Sequence, residues 1–228
     1  MRLRVVLAAT LAAGCVAQAP APVALTFPPT TPSTAAPPGW SAPPATEAAG
    51  ALAALRVEPE VDPGAYDRKT FRFPSGGKDS RGCSTRARVL QRDSEVPAQV
   101  AYPGCKVLAG RWTDAYTGTV FDDPGKVSID HLVPLKEAYT SGASSFSKDQ
   151  LVAFANDVDS LSALKVIGGS GNASKGHKDP AEWKPPLRSA WAAYAREWVT
   201  VKVAYGLTAD QREIDALEEM LTVHHRAP

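Results

Sequence analysis

The chain has 228 residues, 25 Lys and Arg against 24 Asp and Glu, a formal net charge of +1, and 44% hydrophobic residues. This is enough apolar material for one main core, and it excludes collagen-like and fully disordered classes. It also excludes a global basic field, so any polyanion binding must rest on a local patch.

The N-terminus reads "MRLRVVLAATLAAGCVAQAPAP". Arg2 and Arg4 precede an apolar run of about ten residues, too short to span a bilayer. Small residues follow, which is the pattern of an export signal over residues 1–19. "AQA" ending at Ala19 suits ordinary cleavage and a secreted protein. "LAAGC" resembles a lipoprotein box, which would make Cys15 a lipid anchor at the membrane surface. A buried N-terminal helix is the competing reading, and the polar flanks weigh against it. Removing residues 1–19 leaves 23 basic against 24 acidic residues, a net of −1. Residues 20–46 are rich in Pro, Ala and Thr, cannot bury a core, and read as a disordered tether. Residues 47–228 read as one domain, with Thr46 as the N-cap of an opening helix.

Cys83 and Cys105 form an even pair in an exported chain, which predicts a disulfide closing a loop of about 22 residues and contributing about 3 kcal/mol. Two zinc ligands are the weaker alternative, since no CxxC partner exists. Residues 70–126 are turn-rich, with strands expected at 99–102 and 106–108. "SRGCSTRARVLQR" carries Arg81, Arg86, Arg88 and Arg92. On a helix Arg88 and Arg92 share a face, and arginine forks suit phosphate oxygens. A merely solvated charged face is the plain alternative.

A strand over 126–129 leads into Asp130-His131. "SKDQLVAFANDV" reads as a helix capped by Ser147, with Leu151, Phe154 and Ala155 on one face. "LSALKVI" (161–167) reads as a second strand, and Asn172 opens a short helix after "GGSGN". "PPLRSAWAAYAREWVTVKVAYG" reads as a packing helix through Leu187, Trp191, Tyr194, Trp198 and Val201. A last helix follows, with Thr208 as its N-cap.

Taken singly, the reactive residues have plain readings. Asp130 could cap a helix starting at Leu132. His131 could be packed and hydrogen-bonded, Asn172 a turn residue, and Lys175 solvated. Taken together they give strand, strand, helix, with Asp-His on the first strand and Asn on the helix. That is the layout of a ββα-metal (His-Me finger) site, and here the chain resembles the HNH endonucleases. It is most similar to a group of secreted bacterial members. That group shows "GCxTRxxVLxR", "GxWxxxYTG", "IDHxVPLxEAWxSGA", "FAND" and "NxSKGxxDPxEWxP". This chain has "RGCSTRARVLQR", "GRWTDAYTG", "IDHLVPLKEAYTSGA", "FAND" and "NASKGHKDPAEWKPP", running from about Tyr66 to Pro186.

The resemblance implies an α+β fold: an HNH core surrounded by helices. It implies an exported endonuclease hydrolysing DNA, and RNA as a further substrate, with little sequence preference. His131 would be the general base, Asp130 and Asn172 metal ligands, and Lys175 a catalytic residue that steadies the phosphate. Asp179 and Trp183 look structural, a turn anchor and an aromatic plug. An Asp/Asn/water ligand set favours Mg²⁺, with Mn²⁺ as an alternative, whereas Zn²⁺ would want more nitrogen or sulfur. His177 is set aside because the family more often has a neutral polar residue there. The chain departs from the pattern at Ser160, where many members carry an Asn that organises the metal loop. It also has Ser84 and Ser128 where acids are common. The alternative function is therefore a catalytically weak or inactive HNH-fold protein that binds nucleic acid or belongs to the cell envelope.

Overall fold

In a computed structural model, residues 50–72, 78–160 and 163–222 are described. Cys15, the signal, the tether and Thr46 lie outside these residues. Ser84 caps the helix α1 (Thr85–Arg92) by accepting the Ala87 amide at 3.2 Å, and Ala87, Val89 and Leu90 turn inward. Cys83, just before that cap, is joined by a disulfide to Cys105, with the two Cα atoms 4.8 Å apart. Cys105 closes the turn of an antiparallel hairpin, β1 (Gln99–Ala101) and β2 (Lys106–Ala109). The bridge thus fastens helix to hairpin where neither element buries much by itself. A second pair, β3 (Trp112–Thr113) and β4 (Val120–Phe121), is only two residues deep.

The structural centre is the antiparallel pair β5 (Val127–His131) and β6 (Leu164–Gly168). Between them run α2 (Leu135–Thr140) and α3 (Lys148–Ala155); α4 (Gly169–Lys175) follows β6 directly. Pairing places Asp130 opposite Lys165 and His131 opposite Leu164. Successive strand side chains face opposite ways, and both faces of this pair are covered. Val127, Leu164 and Val166 join Val89, Trp112 and the disulfide in one apolar cluster. Ile167 joins Leu132, Phe154, Trp198 and Leu217 in the larger one. That larger cluster is closed by α5 (Trp191–Ala204) and α6 (Gln211–Thr222). The fold is α+β, small antiparallel sheets with helices packed around them.

Four local expectations need correction. The second strand starts at Leu164 rather than 161. No helix begins at Leu132; Pro134 precedes α2 and no side chain caps it, so Asp130 is not a cap. The helix expected from Pro185 starts at Trp191 because the Leu187 amide donates to the Tyr116 carbonyl at 3.0 Å and holds the chain extended. Thr208 does not cap the last helix. Its hydroxyl donates to the Ser141 carbonyl at 3.1 Å, while Asp210 accepts the Glu213 amide at 2.8 Å.

Candidate functional site

The end of β5 puts Asp130 and His131 at a cavity of about 470 Å³, which Asn172, His177, Tyr66, Arg68 and Lys136 also line. The sequence-predicted Asp130, His131 and Asn172 are therefore brought together. Asp130 is 4% exposed, so its carboxylate needs partners. It has two. Lys175 Nζ lies 3.0 Å from Oδ1 and 2.9 Å from Oδ2, and the Tyr116 hydroxyl donates to Oδ2 at 2.9 Å. Burial raises the Asp130 pKa, and Lys175 works against that rise. Burial likewise lowers the pKa of Lys175 itself. Lys175 is fully buried, also donates to the His131 carbonyl at 2.8 Å, and does not line the cavity. The expected phosphate contact is replaced by a positioning role: Lys175 holds the Asp130 carboxylate and the end of β5 in place.

His131 Nε2 lies 2.9 Å from the Ala155 carbonyl. A carbonyl only accepts, so Nε2 carries the proton and Nδ1 keeps the lone pair. Burial pushes the imidazole pKa down to about 4, with Arg68 and Lys175 adding to the fall. His131 is thus a neutral, fixed-tautomer imidazole at neutral pH.

Asp114 and Tyr116, two residues without an expected role, support the site from outside the cavity. Asp114 accepts the Tyr116 amide at 2.7 Å and the Gly168 amide at 2.8 Å, tying the 114–118 turn to the junction of β6 and α4. A Cβ at Gly168 would lie 3.0 Å from the Phe121 ring and 3.2 Å from Asp114 Oδ2, so any larger residue there must push one of these side chains aside by a few tenths of an ångström. The available signal was the "GRWTDAYTG" motif, which contains both residues. Asp179 accepts the Ala181 and Glu182 amides at 2.7 and 2.8 Å. Trp183 packs edge-on against Tyr116 and Tyr194 and donates to Ser174 Oγ at 3.1 Å, bracing α4 from behind.

The four arginines of the 81–92 stretch do not form one phosphate-binding cluster. Arg81 is bonded to Asp79, and Arg88 lies 3.7 Å from Asp159. Arg92 holds Asp93 and donates to the carbonyls of Val158, Ser160 and Leu164. Arg92 and Asp157, which accepts the Ser160 amide at 2.9 Å, organise the loop where the expected Asn is replaced by Ser160. Arg86 lines a second cavity, together with Arg68 and Arg72. Among the described residues, acidic groups close enough to share a cation are Glu60 with Asp179 and Asp210, and Glu60 with Glu137 and Glu213. None of these lines the Asp130–His131 cavity.

Over 214 residues the chain is 36% identical to an uncharacterized secreted protein of Arthroderma benhamiae, covering 93% of this chain and 96% of that one. This chain belongs to the same family as that protein. The shared length takes in nearly the whole chain, so the family likeness is not confined to one segment. No family model matches the chain, and no solved structure matches it.

Proposed function

We propose that this is an exported, metal-dependent endonuclease of the HNH type, acting on DNA with little sequence preference, RNA being the alternative substrate. The observation that carries the reading is the meeting of Asp130, His131 and Asn172 on one cavity, with His131 neutral and fixed by the Ala155 carbonyl. In the hydrolysis, the water oxygen bonds to phosphorus and its proton passes to His131 Nδ1. The bond to the leaving sugar oxygen breaks, and that oxygen takes a proton from solvent. Asp130 and Asn172 offer one carboxylate and one amide, which suits a hard divalent ion that keeps several waters, Mg²⁺ before Mn²⁺ or Zn²⁺. Such an ion, when bound, stabilises negative charge on the phosphate and leaving oxygen. Lys175 fixes the carboxylate's direction and offsets part of its charge, which weakens its hold on a cation.

That last point favours a second reading, a nucleic-acid-binding protein with little hydrolysis. Both Asp130 oxygens already accept bonds from Lys175. Export is proposed from the signal-like residues 1–19 and from the secreted description of the relative. Mass spectrometry of the mature N-terminus separates free secretion, starting at Pro20, from lipid attachment at Cys15.

Plasmid nicking by the mature protein, with Mg²⁺ and with chelator, tests the main reading. Chelator-sensitive nicking that His131→Ala lowers by a hundredfold or more is the expected result. Asp130→Ala and Asn172→Ala should instead weaken metal binding, with excess metal restoring part of the activity. Nicking by His131→Ala at the parent rate removes His131 as the base. Nucleic-acid and metal binding without nicking selects the second reading.

A further inference from the structure

A second cavity of about 380 Å³ adjoins the first and shares Arg68, His131 and Leu135 with it. His131 therefore stands on the wall between two lobes of one cleft. The first lobe holds Asp130 and Asn172. The second is lined by Arg68, Arg72 and Arg86, with no carboxylate among its lining residues.

These three cations differ from the other arginines of the 81–92 stretch. The guanidinium groups of Arg68 and Arg72 have no hydrogen-bond or ion-pair partner among the described residues, whereas those of Arg81, Arg88 and Arg92 each have a carboxylate. The backbone that carries Arg68 and Arg72 is nonetheless held firmly. Asp67 accepts the Lys69 amide at 2.8 Å, and Phe71 is buried. Lys148 Nζ donates to the Thr70 carbonyl, and Asn156 Nδ2 to the Phe71 carbonyl at 3.4 Å. Arg86 is anchored through Nη2 to the Pro124 and Val127 carbonyls, which leaves Nη1 and Nε without a described partner. Three guanidinium groups on fixed supports, facing a lobe without negative charge, are suited to an oxyanion with several acceptor oxygens.

We infer that Arg68, Arg72 and Arg86 form a second subsite of the cleft, which takes the phosphodiester next to the one placed between Asp130 and His131. The inference rests on the nuclease reading of the first lobe. It makes the substrate a strand with at least one further phosphate next to the cleaved one, and it explains how a chain of near-zero net charge grips a polyanion.

The test is binding of a fluorescein-labelled 12-residue oligodeoxynucleotide, read by anisotropy in chelator across a salt series. Variants are Arg68→Ala, Arg72→Ala and Arg86→Lys, with Arg212→Ala, on the exposed side of α6, as the control. Each alanine variant should lose about tenfold in affinity at low salt. Its slope of log affinity against log salt should fall by about one. Arg86→Lys should keep its slope yet bind less tightly, because the fork is lost, and Arg212→Ala should bind as the parent does. Arg68→Ala and Arg72→Ala binding like the parent, or a parent that binds no oligonucleotide, overturns the subsite. A parent that nicks plasmid while those variants bind normally loses the subsite and keeps the nuclease reading. A parent that binds through these arginines but never nicks keeps the subsite and loses the nuclease reading.

Discussion

Lys175 Nζ sits 3.0 Å from Asp130 Oδ1 and 2.8 Å from the carbonyl oxygen of His131, so one buried ammonium holds both halves of the Asp-His pair from beneath. The helix that carries Asn172 into the cleft thereby also fixes the strand end opposite it. Breaking a buried pair from one side leaves an uncompensated charge. Lys175→Met should therefore lower stability by roughly 3–5 kcal/mol. Pairing it with Asp130→Leu should recover much of that loss, since the orphaned carboxylate goes too. Urea denaturation midpoints of the parent and the two variants check this. A single variant as stable as the parent would mean that the pair contributes nothing.

Arg92 offers a different outcome. Its guanidinium donates to three carbonyls around the loop that enters β6. Arg92→Ala strips those donors at once and should cost about 2–3 kcal/mol. The chain at 157–160 should become cleavable by protease, while the salt dependence of nucleic-acid binding stays that of the parent. A changed salt slope with normal protease resistance would reverse this assignment.

Glu60 lies beside a buried network in which Lys202 bonds Glu137 at 2.7 Å and Glu213 at 2.6 Å. Burial, and then the charge of Glu137, push Glu60 up to about 8 from 4.5. Burial likewise pushes Glu213 up to about 7. A carboxyl raised on folding stabilises the fold fully below its unfolded value and loses that contribution as pH rises through the folded value. The window runs from about 4.5 to about 8. The melting temperature should fall across it, and Glu60→Gln, neutral throughout, should flatten the fall. Because Glu60 is partly exposed, the effect is modest. Stability that rises through the window contradicts it.

The disulfide joins Cys83 to Cys105 across the start of α1 and the first hairpin. Cys83→Ser/Cys105→Ser should cost about 3 kcal/mol, read from the denaturation midpoint. Mild reduction should loosen α1, and with it Arg86, before α5 and α6 unfold. Circular dichroism alongside oligonucleotide binding separates the two events: binding should fall first. Simultaneous loss of both would place the bridge inside the global folding unit.

What was legible in the sequence follows the range of the interactions. The central hairpin could be read because Val127 and Ile129, then Leu164, Val166 and Ile167, are β-formers next to turns. Ser147 read as the cap of its helix, and it is one, with Gln150 completing a capping box. The ligand-like residues could be read because the motif keeps them in order. The arginine assignments could not. Arg92 is bonded to carbonyls 66 to 72 residues away, and no local pattern encodes that. Arg68 and Arg72 carry no motif, and only the fold sets them beside His131. The two-residue strands β3 and β4 carry no period at all. Thr208 read as the cap of the last helix, and it is drawn away by a carbonyl on a distant segment, that of Ser141.

The segment from Arg56 to Val61 pairs with partners far along the chain. Val57 bridges Ala209, the Glu58 amide donates to the Ala209 carbonyl at 3.0 Å, and the Val61 amide to the Thr140 carbonyl at 3.1 Å. Read as an order of synthesis, the part of the domain made first is among the last to dock. Ala209 must have emerged before Val57 has anything to pair with. Arg68 follows that segment by only a few residues, so the arginine side of the cleft is settled late, when nearly the whole chain exists. A nascent chain stopped short of residue 209 would carry the Asp-His strand and its helix without that closing pair, an assembly delayed by connectivity alone.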